Sequence, residues 1–263
     1  MFSTTSNGLR YTVTCYLRSG KMAELESIIE KNLIEKLCSG ESQWTYRPDI
    51  TTEEELWQNF KYILEQNNKD RLDGTPLSES EFAKVKNDVS HQSFYDAGKW
   101  LVGENGKVYV HVQRGNESLH LVVLNDERVA GGSSVYEVIN QYRAFVSEED
   151  PQSRDRRFDI TLLINGIPMI HIELKNKSHP YMDGFHQIKK YIGEGKFRGL
   201  FSNVQMNHSN SEFESFYIRP TNGMTEDPIR KAHGCQYFSY PGYTFAYFRE
   251  FGITEYEAPF TTD

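Results

Sequence analysis

Apolar residues recur along the first third of the chain at helical spacing. Between Lys21 and Cys38, the residues Leu25, Ile28, Ile29, Leu33 and Leu37 form one stripe, and Gly40 follows as a stop. Residues 51–68 repeat the pattern with Leu56, Phe60, Ile63 and Leu64, opened by Thr52 and a run of glutamates suited to the positive end of a helix. A third helix is predicted from Ser78, because Ser78 and Glu81 have capping-box spacing. The period then shortens to two. Residues 106–124 read as two strands about Gly115 and Asn116, and Val135–Phe145 as a strand or mixed segment. The runs FDITLLI and IPMIHIEL are strands joined at Asn165–Gly166. A helix follows over Met182–Ile192, with Phe185, Ile188 and Ile192 as its apolar side and Gly193 and Gly195 at its end. Strands are also predicted at 199–206, at 213–218 and in YTVTCYL near the start, with an exposed loop over 147–153.

The central hairpin carries the candidate chemistry. Glu173 and Lys175 are two apart on a strand and point the same way. A plain two-residue Asn-Gly turn pairs Ile164 with Ile167, which sets Asp159 opposite Ile172 and sends Glu173 to the other face. A bulged or odd-length loop, with Gly166 left-handed, returns Asp159 and Glu173 to one face, and such a loop is therefore predicted. Two carboxylates on one pocket make a hard oxygen site suited to Mg²⁺, to which the backbone carbonyl of Leu174 could add a ligand. Lys175 stands where an amine would activate water for attack on phosphorus. Gln187 and Tyr191 share a helix face at i and i+4.

Composition narrows the rest. A chain of 263 residues with 38% hydrophobic and 25% charged content builds a substantial globular core. No apolar run approaches a membrane span, and the start lacks the pattern of a signal peptide, so a cytoplasmic location with no membrane partner is expected. Cys15, Cys38 and Cys235 are odd in number and scattered, as reduced thiols would be. The net charge of −8 opposes nucleic-acid binding, yet residues 151–200 hold nine Lys and Arg against five Asp and Glu. The tail from Tyr237 to Phe260 has ten aromatic residues in twenty-four, so it packs on the core or awaits a partner. His171, His179 and His186 are too loosely spaced for a zinc site, and no phosphate loop, GxSxG or HExxH is present.

RFDITLLINGIPMIHIELKN followed by HQIKKY resembles the nuclease region of the HsdR restriction subunit of type I restriction-modification enzymes. The likeness extends upstream through LESIIEKNLIEKLC, TTEEELWQNFKYIL and LSESEFAKVKNDV, over roughly residues 20–220. It implies an α/β restriction-endonuclease-like core, a central mixed sheet flanked by helices, of the PD-(D/E)xK type. It also implies Mg²⁺-dependent, or Mn²⁺-dependent, cutting of double-stranded DNA. Asp159, Glu173 and Lys175 match the family's catalytic positions, Gln187 and Tyr191 its Gln-xxx-Tyr motif, and Glu30 a first-helix carboxylate directed at the metal. Phe158 stands where the "PD" proline would be. The family continues into ATP-driven motor domains and works with methylase and specificity subunits. Residues 1–220 are accordingly expected to be the nuclease unit with a helical elaboration, and 221–263 the start of a connection to motors. A non-catalytic assembly module and a stand-alone nuclease of resolvase or repair type are the competing readings.

Overall fold

The computed structural model describes residues 26–40, 44–125, 134–144, 156–175, 181–211, 214–218, 230–232, 235–240 and 243–249. The expected strand in YTVTCYL, the loop at 147–153 and the start of the first helix, with Leu25, lie outside these residues, as do the side chains of Met182 and Phe185.

Residues 26–37 form helix α1, which ends where Ser39 Oγ donates to the Lys36 carbonyl and Gly40 turns left-handed. Its buried side is Ile29, Leu33, Ile34 and Leu37, whereas Ile28, expected on that stripe, is 47% exposed. The shift follows from Ile34, which rotates the apolar face away from Ile28. Strand β1 (Trp44–Tyr46) follows. Helix α2 (Glu53–Asn67) starts after Thr52, as predicted, and the cap is a complete capping box with Glu55; α3 (Glu79–Val89) begins on the predicted box between Ser78 and Glu81. Helix α4 (Phe94–Val102), capped by Ser93 on the Asp96 amide, was not anticipated.

Strands β2 (Lys107–Arg114) and β3 (Glu117–Asn125) form a separate two-stranded sheet. The main sheet contains β4 (Tyr136–Ala144), β5 (Arg156–Ile164), β6 (Ile167–Lys175), β7 (Met206–Ser211), β8 (Glu214–Ile218), β9 (Arg230–Ala232), β10 (Cys235–Tyr240) and β11 (Tyr243–Arg249). Its order is β1-β4-β5-β6-β7-β8-β11-β10-β9. β1–β4 and β6–β7 are parallel and the other pairings antiparallel. Helix α5 (Tyr181–Gly193) makes the crossover that the parallel β6–β7 pair requires. The aromatic tail thus contributes β10 and β11, which extend the sheet from β8.

Two apolar layers hold the sheet. Val138, Ile160, Leu162, Ile172 and Leu174 face Ile34 of α1. Ile139, Tyr142, Phe158, Leu163 and Ile167 face α2 through Leu56, Trp57 and Phe60, with Tyr191 of α5 in the same layer. A mixed sheet with helices on both faces is the α/β restriction-endonuclease-like arrangement that the resemblance implies. The stretch 199–206 differs from expectation. Gly199–Asn203 is a 3₁₀ turn, because Ser202 Oγ donates to the Gly199 carbonyl and Asn203 Nδ2 to those of Leu200 and Val89. Such local side-chain bonds offer the backbone an alternative to the ladder. Among the described residues no helix is long and apolar enough to cross a membrane.

Candidate functional site

The register of the β5–β6 hairpin decides whether the two acids meet. Asn165 and Gly166, with φ of 51° and 77°, make a two-residue turn that pairs Ile164 with Ile167 and Leu163 with Pro168. The loop is therefore not odd in length. The bulge lies one step beyond it: the next pair is Leu162 with Ile170, so Met169 is the extra residue. Pro168 has no N–H to give the ladder, and a bulge is one of the few sheet positions that tolerates it. The shifted register runs through Thr161–His171 and Ile160–Ile172 and, continued by one, sets Asp159 opposite Glu173.

Beyond Ile160 the two strands exchange a side chain for the ladder: the Leu174 N–H donates to Asp159 Oδ2 at 2.8 Å. Glu173 is fully buried and its oxygens are divided between neighbours. Gln187 Nε2 donates to Oε2 at 2.6 Å and also to the Tyr191 hydroxyl. Oε1 lies 3.0 Å from His171 Nε2. Lys175 Nζ is 3.8 Å from Glu173 Oε2 and donates to the Leu174 carbonyl at 2.8 Å. Asp159, Glu173, Lys175, Gln187, Tyr191 and the Leu174 carbonyl are thus brought together.

The Glu30 carboxylate accepts from the side-chain amides of Asn140 and Gln141 on β4. The α1 carboxylate whose charge reaches Glu173 is Glu26, one turn earlier on the same helix face. His171 was also missed as a neighbour of Glu173, although it shares a strand face with it at two-residue spacing. Its ring lies among Phe158 and Phe197, with centroids 4.4 and 5.5 Å away.

The electrostatics follow from this crowding. Burial pushes the Glu173 carboxyl up to about 8, against the pull of Lys175. Loss of solvent and the facing Glu173 raise Asp159 well above the usual carboxylate range. Burial holds His171 down at about 3, so its imidazole is neutral, and burial with the nearby Glu173 raises Tyr191. Two acids that resist joint ionisation are what an added cation relieves, and hard carboxylate oxygens suit a hard divalent ion. Among the described residues no three His, Cys, Asp or Glu side chains gather in metal-holding geometry. A cation here would therefore draw on the acid pair and keep most of its water.

The profile of the family described as "Type I restriction enzyme R protein N terminus" matches residues 24–223. The chain belongs to this family. Asp159, Glu173, Lys175, Gln187 and Tyr191 all lie inside the matched span. Its relatives are named type I restriction enzyme endonuclease subunits. The chain is 30% identical over 161 residues to the type I restriction enzyme SauCOLORF180P endonuclease subunit of Staphylococcus aureus strain COL, covering 61% of this chain and 16% of that protein. It is 26% identical over 209 residues to the SsaAORF53P endonuclease subunit of Staphylococcus saprophyticus, covering 79% and 20%. A shorter match of 69 residues, 33% identical, joins it to the EcoprrI endonuclease subunit of Escherichia coli, covering 26% and 22%. The alignments thus span about a fifth of these relatives' lengths.

Proposed function

We propose that this chain is the nuclease part of a type I restriction enzyme R subunit. It hydrolyses phosphodiester bonds of double-stranded DNA, with Mg²⁺, or Mn²⁺ in its place, held by Asp159 and Glu173. The observation that carries the reading is that those two carboxyls act on each other at close range, with Lys175 Nζ 3.8 Å from Glu173 Oε2. The family match and the relatives' names support it.

Bound there, the cation supplies Lewis-acid stabilisation of charge developing on the scissile phosphate. The chain's own groups do the rest. The Leu174 amide fixes the Asp159 carboxylate, and Gln187, itself tied to Tyr191, fixes Glu173 Oε2. Lys175 is held by the Leu174 carbonyl with its amine mostly shielded, where it orients the attacking water and offsets negative charge in the transition state. The Leu174 carbonyl is a further oxygen at the edge of the pair. Nothing in this set reads bases, so cutting is non-specific in sequence and responds to backbone shape and phosphates. Specificity and methylase subunits choose the DNA, and ATP-driven motor domains outside this chain bring it to the site.

In the complete enzyme, supplied with ATP and Mg²⁺, Asp159→Ala, Glu173→Ala and Lys175→Ala are each expected to cut plasmid DNA at least about 10²-fold more slowly. ATP hydrolysis should continue. Undiminished cutting by any one variant removes that residue from the mechanism. Cutting of branched or nicked DNA by the chain alone would favour a stand-alone repair nuclease instead.

A further inference from the structure

The strands beneath Asp159 break stride. On β5, Ile160 and Leu162 face α1, yet Phe158 lies in the opposite layer with Leu163. Strict alternation would put Phe158 and Ile160 on one face, so the strand slips by one residue at Asp159. β4 does the same on the adjoining rung. Val138 faces α1, and Ile139 and Tyr142 share the other face although they are three apart. The slip falls at Gln141, which has a left-handed φ of 52°. The two slips cancel, because β4 and β5 keep a single register on either side, with Asn140 paired to Ile160 and Tyr142 to Phe158.

A glutamine does not adopt that backbone conformation without compensation. The compensation visible here is Glu30. One of its oxygens accepts from Asn140 Nδ2 and the other from Gln141 Nε2, the latter at 2.6 Å, so consecutive residues of β4 are drawn together toward α1. Tyr46 of β1 donates to Asn140 Oδ1 at 2.9 Å and fixes that amide from its far side. Across the rung, the matching slip lets Phe158 fill the layer beside Tyr191 and His171 while Asp159 stays close to Glu173.

We propose that Glu30 is a positioning residue for the acid pair: by clamping Asn140 and Gln141 it holds the coupled slip in β4 and β5 that keeps Asp159 facing Glu173. The functional part of this inference rests on the reading of Asp159 and Glu173 as a cation site. The structural part does not, since it can be followed at the Leu174 amide that Asp159 accepts.

The test compares the unaltered chain with Glu30→Ala, Gln141→Gly and the double variant Glu30→Ala/Gln141→Gly. Two quantities are measured: hydrogen exchange of the metal-free Leu174 amide, and Mn²⁺ affinity by calorimetry. Glu30→Ala is expected to speed Leu174 exchange and weaken Mn²⁺ binding about tenfold, the usual effect of losing an outer-shell partner. Glycine takes a left-handed φ without help, so Gln141→Gly alone should change neither quantity, and the double variant should recover both to within about threefold of the unaltered chain. Unchanged exchange in Glu30→Ala overturns the inference. So does loss of Mn²⁺ affinity that glycine at 141 leaves unrepaired, which would mark Glu30 as acting on the cation itself. If the unaltered chain binds no Mn²⁺ while Leu174 exchange still answers to Glu30, the positioning role stands and the cation reading falls.

Discussion

Two hairpins in this chain are built to one plan and end in opposite conditions. Both turn in two residues, Gly115–Asn116 in β2–β3 and Asn165–Gly166 in β5–β6, and both carry a bulge. In β2–β3 the extra residue is Val123, and side-chain amides close the backbone around it. Asn68 accepts from the Val122 N–H at 2.7 Å and donates to the Val122 carbonyl at 2.8 Å, while Asn165 Nδ2 donates to the Val123 carbonyl at 2.9 Å. In β5–β6 the bulge instead brings two carboxyls face to face and buries Glu173 with a lysine 3.8 Å away. Buried Thr161 Oγ1, two rungs below, has no hydrogen-bond partner among the described residues. One hairpin spends its irregularity on structural closure and the other concentrates unmet polarity, which is where chemistry is expected.

The largest effect that separates them should come from their turns. A Cβ at Gly166 would sit 2.9 Å from Phe60 Cα at a φ of 77°, whereas one at Gly115 meets nothing within 4 Å at 61°. Gly166→Ala is expected to lose about 3 kcal/mol, combining strain and overpacking, and Gly115→Ala about 1 kcal/mol, from strain alone. Urea melts of both variants measure the gap. Equal losses would mean that the Asn165–Gly166 turn is not seated on α2.

A second difference lies in pH dependence, and its sign is opposite in the two regions. Glu173 titrates at about 8 when folded and near 4.5 when unfolded, so the folded state holds a proton that the unfolded chain has released. The metal-free chain therefore has this stabilisation in full below pH 4.5 and loses it progressively as pH rises from 4.5 through 8. Melts at pH 5.5 and 8.5 should show the loss, and Glu173→Gln should flatten it. The β2–β3 hairpin is instead tied to α3 by Arg114 on Glu81, at 2.8 Å, which holds the Glu81 carboxyl down to about 2. That contribution is present above pH 4.5 and fades as pH falls toward 2. It should amount to about 1 kcal/mol, because solvent screens the pair. Glu81→Gln removes this acid sensitivity if the pair is its source; an unchanged acid limb assigns it elsewhere.

Much of this was legible in the residues, for physical reasons that differ by element. The capping boxes at Thr52 and Ser78 are local, so sequence alone placed the starts of α2 and α3. The need for a bulge was legible because Asp159 and Glu173 cannot otherwise share a face. Its place was misjudged, although Pro168, unable to donate, marked it. Helix α4 escaped notice because nine residues offer little periodicity. The 3₁₀ turn at Gly199–Asn203 depends on Asn203 reaching Val89, more than a hundred residues away, and no local pattern reveals that. The hold of Glu30 on Asn140 and Gln141 has the same origin, in the placement of α1 on the sheet.

The central claim, that Asp159 and Glu173 converge on one cation, is met most directly by Mn²⁺ calorimetry on this chain at pH 7 in buffers of different ionisation enthalpy. The account predicts binding at a single site with release of about one proton, the one Glu173 holds below its raised pKa, and loss of both signals in Asp159→Asn. Binding that releases no proton and persists in Asp159→Asn would contradict it.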